Sequence, residues 1–139
     1  RGKPSSGAGP AAAGPTASDP RALREVLVID DDPDHRTLIQ HYLRDLRCVP
    51  REARNGLEGL AAARARRPGL IVLDLRMPGI SGWEVLQQIH DDPGLRDVPV
   101  IVLSAVEHEY RREFPWVADL LTKPVSREQL ADALARAWK

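Results

Sequence analysis

Val26-Leu27-Val28-Ile29-Asp30-Asp31-Asp32-Pro33 decides the fold: four apolar residues are followed at once by three aspartates and a proline. An aliphatic run without polar alternation reads as a strand buried on both faces, as in parallel sheets covered by helices on each side. The acids that close the run then stand at the carboxyl end of the strand, where open sheets of this class bind their ligands. Asp32 before Pro33 adds a helix start, an N-cap with proline at the first helical position.

Leu70-Ile71-Val72-Leu73-Asp74 repeats the pattern with one terminal acid. Working outward, the sequence predicts strands over 26–30, 48–53, 70–74, 99–104 and 118–122, alternating with helices near 33–46, 56–67, 82–91, 106–113 and 126–138. Such alternation predicts right-handed crossovers and a doubly wound α/β sheet. Pro50, Arg51 and Glu52 make the second strand the poorest, and proline within a strand suits an edge. An edge second strand selects the flavodoxin-like order 2-1-3-4-5 for a five-stranded parallel sheet. Leu38, Ile39, Tyr42, Leu43 and Leu46 give the first helix an apolar stripe, and Leu130, Leu134 and Trp138 give the last one another, with Ser126 as its cap.

The 139 residues suffice for one domain with a core. Twenty Lys and Arg balance 20 Asp and Glu, so no overall field draws the chain to nucleic acid or an anionic membrane. Cys48 is the single cysteine, which excludes an internal disulfide and suits a reducing cytoplasm. No apolar run has the length of a membrane-spanning helix. Residues 1–22, where glycine and proline punctuate alanine, serine and threonine, read as a flexible linker or tail, and 23–139 as the folded domain.

Four strand ends carry chemistry: Asp30 to Asp32 on the first, Asp74 on the third, Ser104 on the fourth and Lys123 on the fifth. Singly each is ordinary, since acids in a row usually cap a helix or face solvent. Together, in the expected strand order, they converge. Carboxylates so gathered repel, and a hard divalent ion such as Mg2+ relieves this through carboxylate and water oxygens. A lysine beside them offers a point charge to a phosphoryl oxygen, and the serine offers a hydroxyl. The set reads as a phosphoryl-transfer site in which a carboxylate is the nucleophile.

These residues resemble the receiver domain of two-component response regulators. The motifs are Val28-Ile29-Asp30-Asp31-Asp32-Pro33, Leu73-Asp74-Leu75-Arg76-Met77-Pro78-Gly79-Ile80-Ser81-Gly82, Val102-Leu103-Ser104-Ala105 and Leu121-Thr122-Lys123-Pro124-Val125, in that order along residues 25–138. The resemblance implies a signalling module in a phosphorelay, not a turnover enzyme, in which Asp74 takes a phosphoryl group from phosphohistidine on a histidine kinase or phosphotransfer domain. It further implies Mg2+ held by Asp31, Asp74 and the backbone carbonyl of Arg76, with Asp30 acting through a coordinated water. Ser104 and Lys123 would contact the phosphoryl oxygens, Ala105 would keep the floor of the site small, and Lys123-Pro124 would be a cis peptide. Asp32 is left as a cap. A cytoplasmic module follows, with a downstream protein partner and no nucleic-acid contact of its own. It is expected to stand alone or, given the leader and the first residue Arg1, to be the C-terminal receiver of a larger hybrid kinase.

The chain departs from the family pattern at three places. Leu120 stands where an aromatic is usual, and the interval from Ser104 to Lys123 is a few residues short and contains Pro115 and Trp116. A shortened fourth helix ending before Pro115 follows. Ser81 replaces the usual aspartate before Gly82 and still serves as a cap. Tyr110, Phe114 and Trp116 are read as filling the space the short helix leaves, ahead of a partner surface, and His35 as solvated, ahead of a kinase contact. Two other functions compete: a receiver-like interaction module that works without phosphorylation, and an aspartate-nucleophile phosphatase of the haloacid dehalogenase type using Asp30-x-Asp32.

Overall fold

Each apolar run becomes a strand whose side chains point alternately to two covered faces. The computed structural model describes residues 24–105 and 115–138. The expected linker and the shortened fourth helix, with Tyr110 and Phe114, lie outside these residues. Strands β1 (Glu25–Ile29), β2 (Val49–Ala53), β3 (Leu70–Asp74), β4 (Val100–Ser104) and β5 (Asp119–Thr122) form one sheet in the order β2-β1-β3-β4-β5. All four pairings are parallel. Among the described residues the helices are α1 (Pro33–Asp45), α2 (Gly56–Ala65), α3 (Gly82–Asp91) and α4 (Arg127–Ala137). This is the doubly wound, flavodoxin-like sheet that the alternation predicts, with β2 at the edge where Pro50 costs no interior hydrogen bond.

The period of two along each strand sorts the core into two layers. Leu27, Ile29, Ile71, Leu73 and Val102 meet Leu60 and Ala63 of α2 and Val85, Leu86 and Ile89 of α3. Val26, Val28, Leu70, Val72, Ile101 and Leu103 meet Ile39 and Leu43 of α1 and Leu130, Ala133 and Leu134 of α4. Residues 26–29 and 70–73 are wholly buried, each large side chain contributing about 1.5–3 kcal/mol by leaving water. That double burial anchors the strand ends on which the site stands.

Helix boundaries follow their caps. Asp32 accepts from the N–H groups of Asp34 and His35, Asn55 from Glu58, Ser81 from Glu84, and Ser126 with Gln129 forms a capping box. Trp138 ends α4 and donates its indole N–H to the Gly69 carbonyl at 3.1 Å. One stripe residue departs from expectation: Leu38 is 41% exposed. At 100° per residue it lies a full step round α1 from Ile39, which with Leu43 centres the buried face.

Candidate functional site

Parallel register brings the chemistry-bearing ends together. Ile29 pairs with Leu73, Asp74 with Leu103, and Ser104 with Thr122. Asp30 and Asp31 therefore leave β1 beside Asp74 at the end of β3, while Ser104 closes β4 and Lys123 follows β5. One carboxylate oxygen from each of Asp30, Asp31 and Asp74 falls within 4.8 Å of the others. Lys123 Nζ lies 3.1 Å from Asp74 Oδ2. Asp30, Asp74 and Ser104 are buried, and Asp31 is the most accessible of the three acids.

Local backbone bonding explains why the corner holds. The Asp30 N–H donates to the Ala53 carbonyl at 3.1 Å, extending the β1–β2 ladder by one residue. The Asp32 N–H then turns back to Asp30 Oδ1 at 3.0 Å, and α1 starts at once on the Asp32 cap. At β3, the Arg76 N–H donates to Asp74 Oδ1 at 3.2 Å. Gly82 closes the loop that follows, its N–H donating to the Leu75 carbonyl at 3.0 Å. A Cβ there would lie 2.5 Å from Leu75 Cα and 2.6 Å from the Asp74 carbonyl oxygen, so only glycine lets the start of α3 approach the end of β3 this closely. Gly79, with φ of 79°, makes the preceding turn.

Electrostatics set the two buried acids apart. Burial raises the Asp74 carboxyl above its usual range and the charge of Asp30 adds to this, while Lys123 and the Arg76 N–H offset only part of the rise. Burial also pushes Asp30 up, but hydrogen bonds from His35 and the Asp32 N–H, with the charge of Lys123, outweigh it and hold Asp30 below its usual range. Two unit charges at 4.8 Å repel by roughly 3 kcal/mol at an effective dielectric of about 20. Three all-oxygen carboxylate donors under that repulsion fit a hard divalent cation such as Mg2+ and do not fit a soft thiophilic metal.

Two contacts around Asp30 were not foreseen from sequence. His35 Nδ1 is bonded to Asp30 Oδ2, and its side chain is 15% exposed, so this histidine is not solvated. Arg36 donates through Nη1 to the Asp30 carbonyl at 2.8 Å and through Nε to Glu52 at 2.7 Å. The Asp32-Pro33 cap marks only where the helix starts, four residues past the end of β1, and not that its first turn folds back over the strand end. Asp32 itself serves the cap. Ala105 follows β4 and is exposed, and the Lys123–Pro124 peptide is cis. Trp116 stacks on His90 with ring centroids 3.9 Å apart. Among the described residues no helix is long and apolar enough to cross a membrane.

Comparison with known proteins places this geometry. The family described as the response regulator receiver domain matches residues 26–135. Protein PilH of Pseudomonas aeruginosa is 29% identical over 111 residues, covering 78% of this chain and 92% of PilH. Chemotaxis protein CheY4 of Vibrio cholerae superposes with a TM-score of 0.77 at 26% identity, over 84% of this chain and 99% of that one. The receiver domain of a sensor histidine kinase from P. aeruginosa, solved with a magnesium ion coordinated in its active-site cleft, superposes with a TM-score of 0.76 at 29% identity, over 83% and 97% of the two chains.

Proposed function

Because the chain belongs to the response regulator receiver family, we propose that it is a phosphoacceptor: Asp74 takes a phosphoryl group from phosphohistidine on a histidine kinase or phosphotransfer domain. The observation that carries this reading is Lys123 Nζ at 3.1 Å from the carboxylate of a buried Asp74. The lysine has no carboxylate partner among the described residues other than this one, so it is held where a phosphoryl oxygen on Asp74 would arrive.

An Asp74 oxygen attacks phosphorus, the P–O bond forms as the P–N bond to the donor histidine breaks, and the histidine nitrogen leaves with the bonding pair. Asp31, Asp74 and the Arg76 carbonyl would hold Mg2+, with Asp30 acting through a coordinated water. When bound, the ion neutralises charge on the transferring phosphoryl oxygens. Lys123 neutralises a third oxygen and loses its bond to Asp74 Oδ2 as it does so. Ser104, the last residue of β4, supplies a hydroxyl on the neighbouring strand. Burial keeps Asp74 from full hydration and so keeps it reactive.

The added charge of about 1.5 to 2 units falls between β3, β4 and β5. Ser104 and Lys123 rearranging toward it begin the shift in population that a downstream partner reads. Leu120, half-buried on β5 in the first core layer, takes no aromatic part in that step. A cytoplasmic setting suits a kinase partner. Reading Asp30 as a phosphatase nucleophile is disfavoured, because Asp32, the second acid of an Asp30-x-Asp32 motif, is engaged as the cap of the helix that Pro33 starts.

Incubation with Mg2+ and acetyl phosphate, followed by intact mass measurement, tests the proposal. A single added phosphoryl mass that vanishes in Asp74→Asn supports it. No adduct, where a control receiver is modified under the same conditions, contradicts it and leaves the interaction module that works without phosphorylation.

A further inference from the structure

Resting on that reading, the geometry points to His35 as a positioning residue that sets the orientation of the Asp30 carboxylate and, through it, the affinity of the acidic site for a divalent cation. A carboxylate has two oxygens with about two acceptor sites each. On Asp30, the Asp32 N–H takes one site on Oδ1 at 3.0 Å and His35 Nδ1 takes one on Oδ2. The plane of the carboxylate is thereby fixed at both corners, with one acceptor site left on each oxygen. Arg36 fixes the same residue a third time through its backbone carbonyl at 2.8 Å. Asp30 is therefore presented in one orientation before any cation arrives.

The tautomer follows from what surrounds the ring. Asp30 as a carboxylate accepts only, so the proton of this bond is on Nδ1. Nε2 is buried and has no hydrogen-bond partner among the described residues. A buried N–H left without an acceptor costs more than a bare nitrogen left without a donor, so Nε2 is the unprotonated atom. The Nδ1–H tautomer has no other carboxylate to serve here than Asp30. The ring is held at the start of α1 by the Asp32 cap, which accepts from the His35 backbone N–H as well.

His35 would therefore act as the outer partners of metal-binding carboxylates do, by preorienting a donor that the first layer alone leaves free to rotate. Three replacements separate this from simple packing. Leucine removes the donor and keeps bulk, asparagine carries an amide N–H where Nδ1 sits, and glutamine carries it farther out. Titration calorimetry with Mg2+ alone on the full chain is expected to show His35→Leu binding about tenfold more weakly. His35→Asn should bind close to wild type, with His35→Gln between. Imidazole 15N spectra of the wild type should show the proton on Nδ1 and a shift on Mg2+ addition. Should His35→Leu fail to fold by circular dichroism, the contrast of asparagine with glutamine and the 15N spectrum carry the test. Wild type that binds Mg2+ while His35→Leu binds it equally well, or a proton found on Nε2, overturns the role of His35 alone. Wild type that binds no Mg2+ overturns the metal site and this role together.

Discussion

The two ends of the sheet handle charge differently. At the amino end, Glu25 meets Arg51 at 2.9 Å and Arg66 at 2.6 Å, and Asp119 takes both Nε and Nη2 of Arg136. Arg51 also donates to the carbonyls of Ala62 and Arg66 at 2.8 and 2.9 Å, satisfying the last turn of α2. At the carboxyl end, Asp30, Asp31 and Asp74 crowd within 4.8 Å against one lysine and one histidine. One end is matched pair by pair, as a structural network is. The other carries surplus negative charge, the mark of a site rather than of a structural network on the reading proposed above. Strands β1 and β5 contribute to both ends, so the contrast belongs to the residues at the ends and not to the sheet.

The contrast breaks most directly at Asp74. Asp74→Asn should abolish acetyl phosphate labelling and raise Tm in metal-free buffer. The sign follows from its raised carboxyl: a folded-state value above the unfolded one means that stability is lost as pH rises through it, and the neutral amide escapes that loss. Lys123→Ala should slow labelling about 100-fold, the usual cost of one lost charge-stabilising donor, as followed by mass against time. Mg2+ at about 100 times its Kd should stabilise the wild type by ~2.7 kcal/mol in thermal melts, and Asp31→Asn should remove most of that gain. At the matched end, Glu25→Gln should cost about 1–2 kcal/mol in denaturant melts, because Arg51 and Arg66 lose the negative charge and one of its two acceptor oxygens to an NH2 donor, with labelling unchanged. Smallest of all, Arg47→Gly should add about 0.5–1 kcal/mol, since Arg47 holds φ at 65° after α1.

Much of this arrangement is legible in the sequence, for physical reasons. Val26 to Ile29 and Leu70 to Leu73 carry no polar alternation, so both-face burial and parallel pairing follow directly. Pro50 places β2 at the edge, and the caps at Asp32, Ser81 and Ser126 fix three helix starts. Convergence of Asp30, Asp31, Asp74 and Lys123 follows from strand order, because each closes or follows a neighbouring strand. His35 was not legible as a partner of Asp30: a histidine in the first turn of a helix has no pattern that distinguishes a solvated ring from one folded back on the preceding strand. Arg47 shows a different limit, since an arginine in the left-handed region leaves no compositional mark where glycine would. Cys48 is buried beside α1 and its thiol is pushed up by burial, which a lone cysteine in a strand leader does not reveal.

The central claim is that surplus carboxylate at the carboxyl end serves one acceptor. Borohydride reduction of the acetyl phosphate product converts an aspartyl phosphate to homoserine, and tandem mass spectrometry of the digest then reads its position. The account predicts homoserine at position 74 alone, dependent on Mg2+. Homoserine at position 30, or a phosphoryl adduct that forms equally well in chelator, would contradict it.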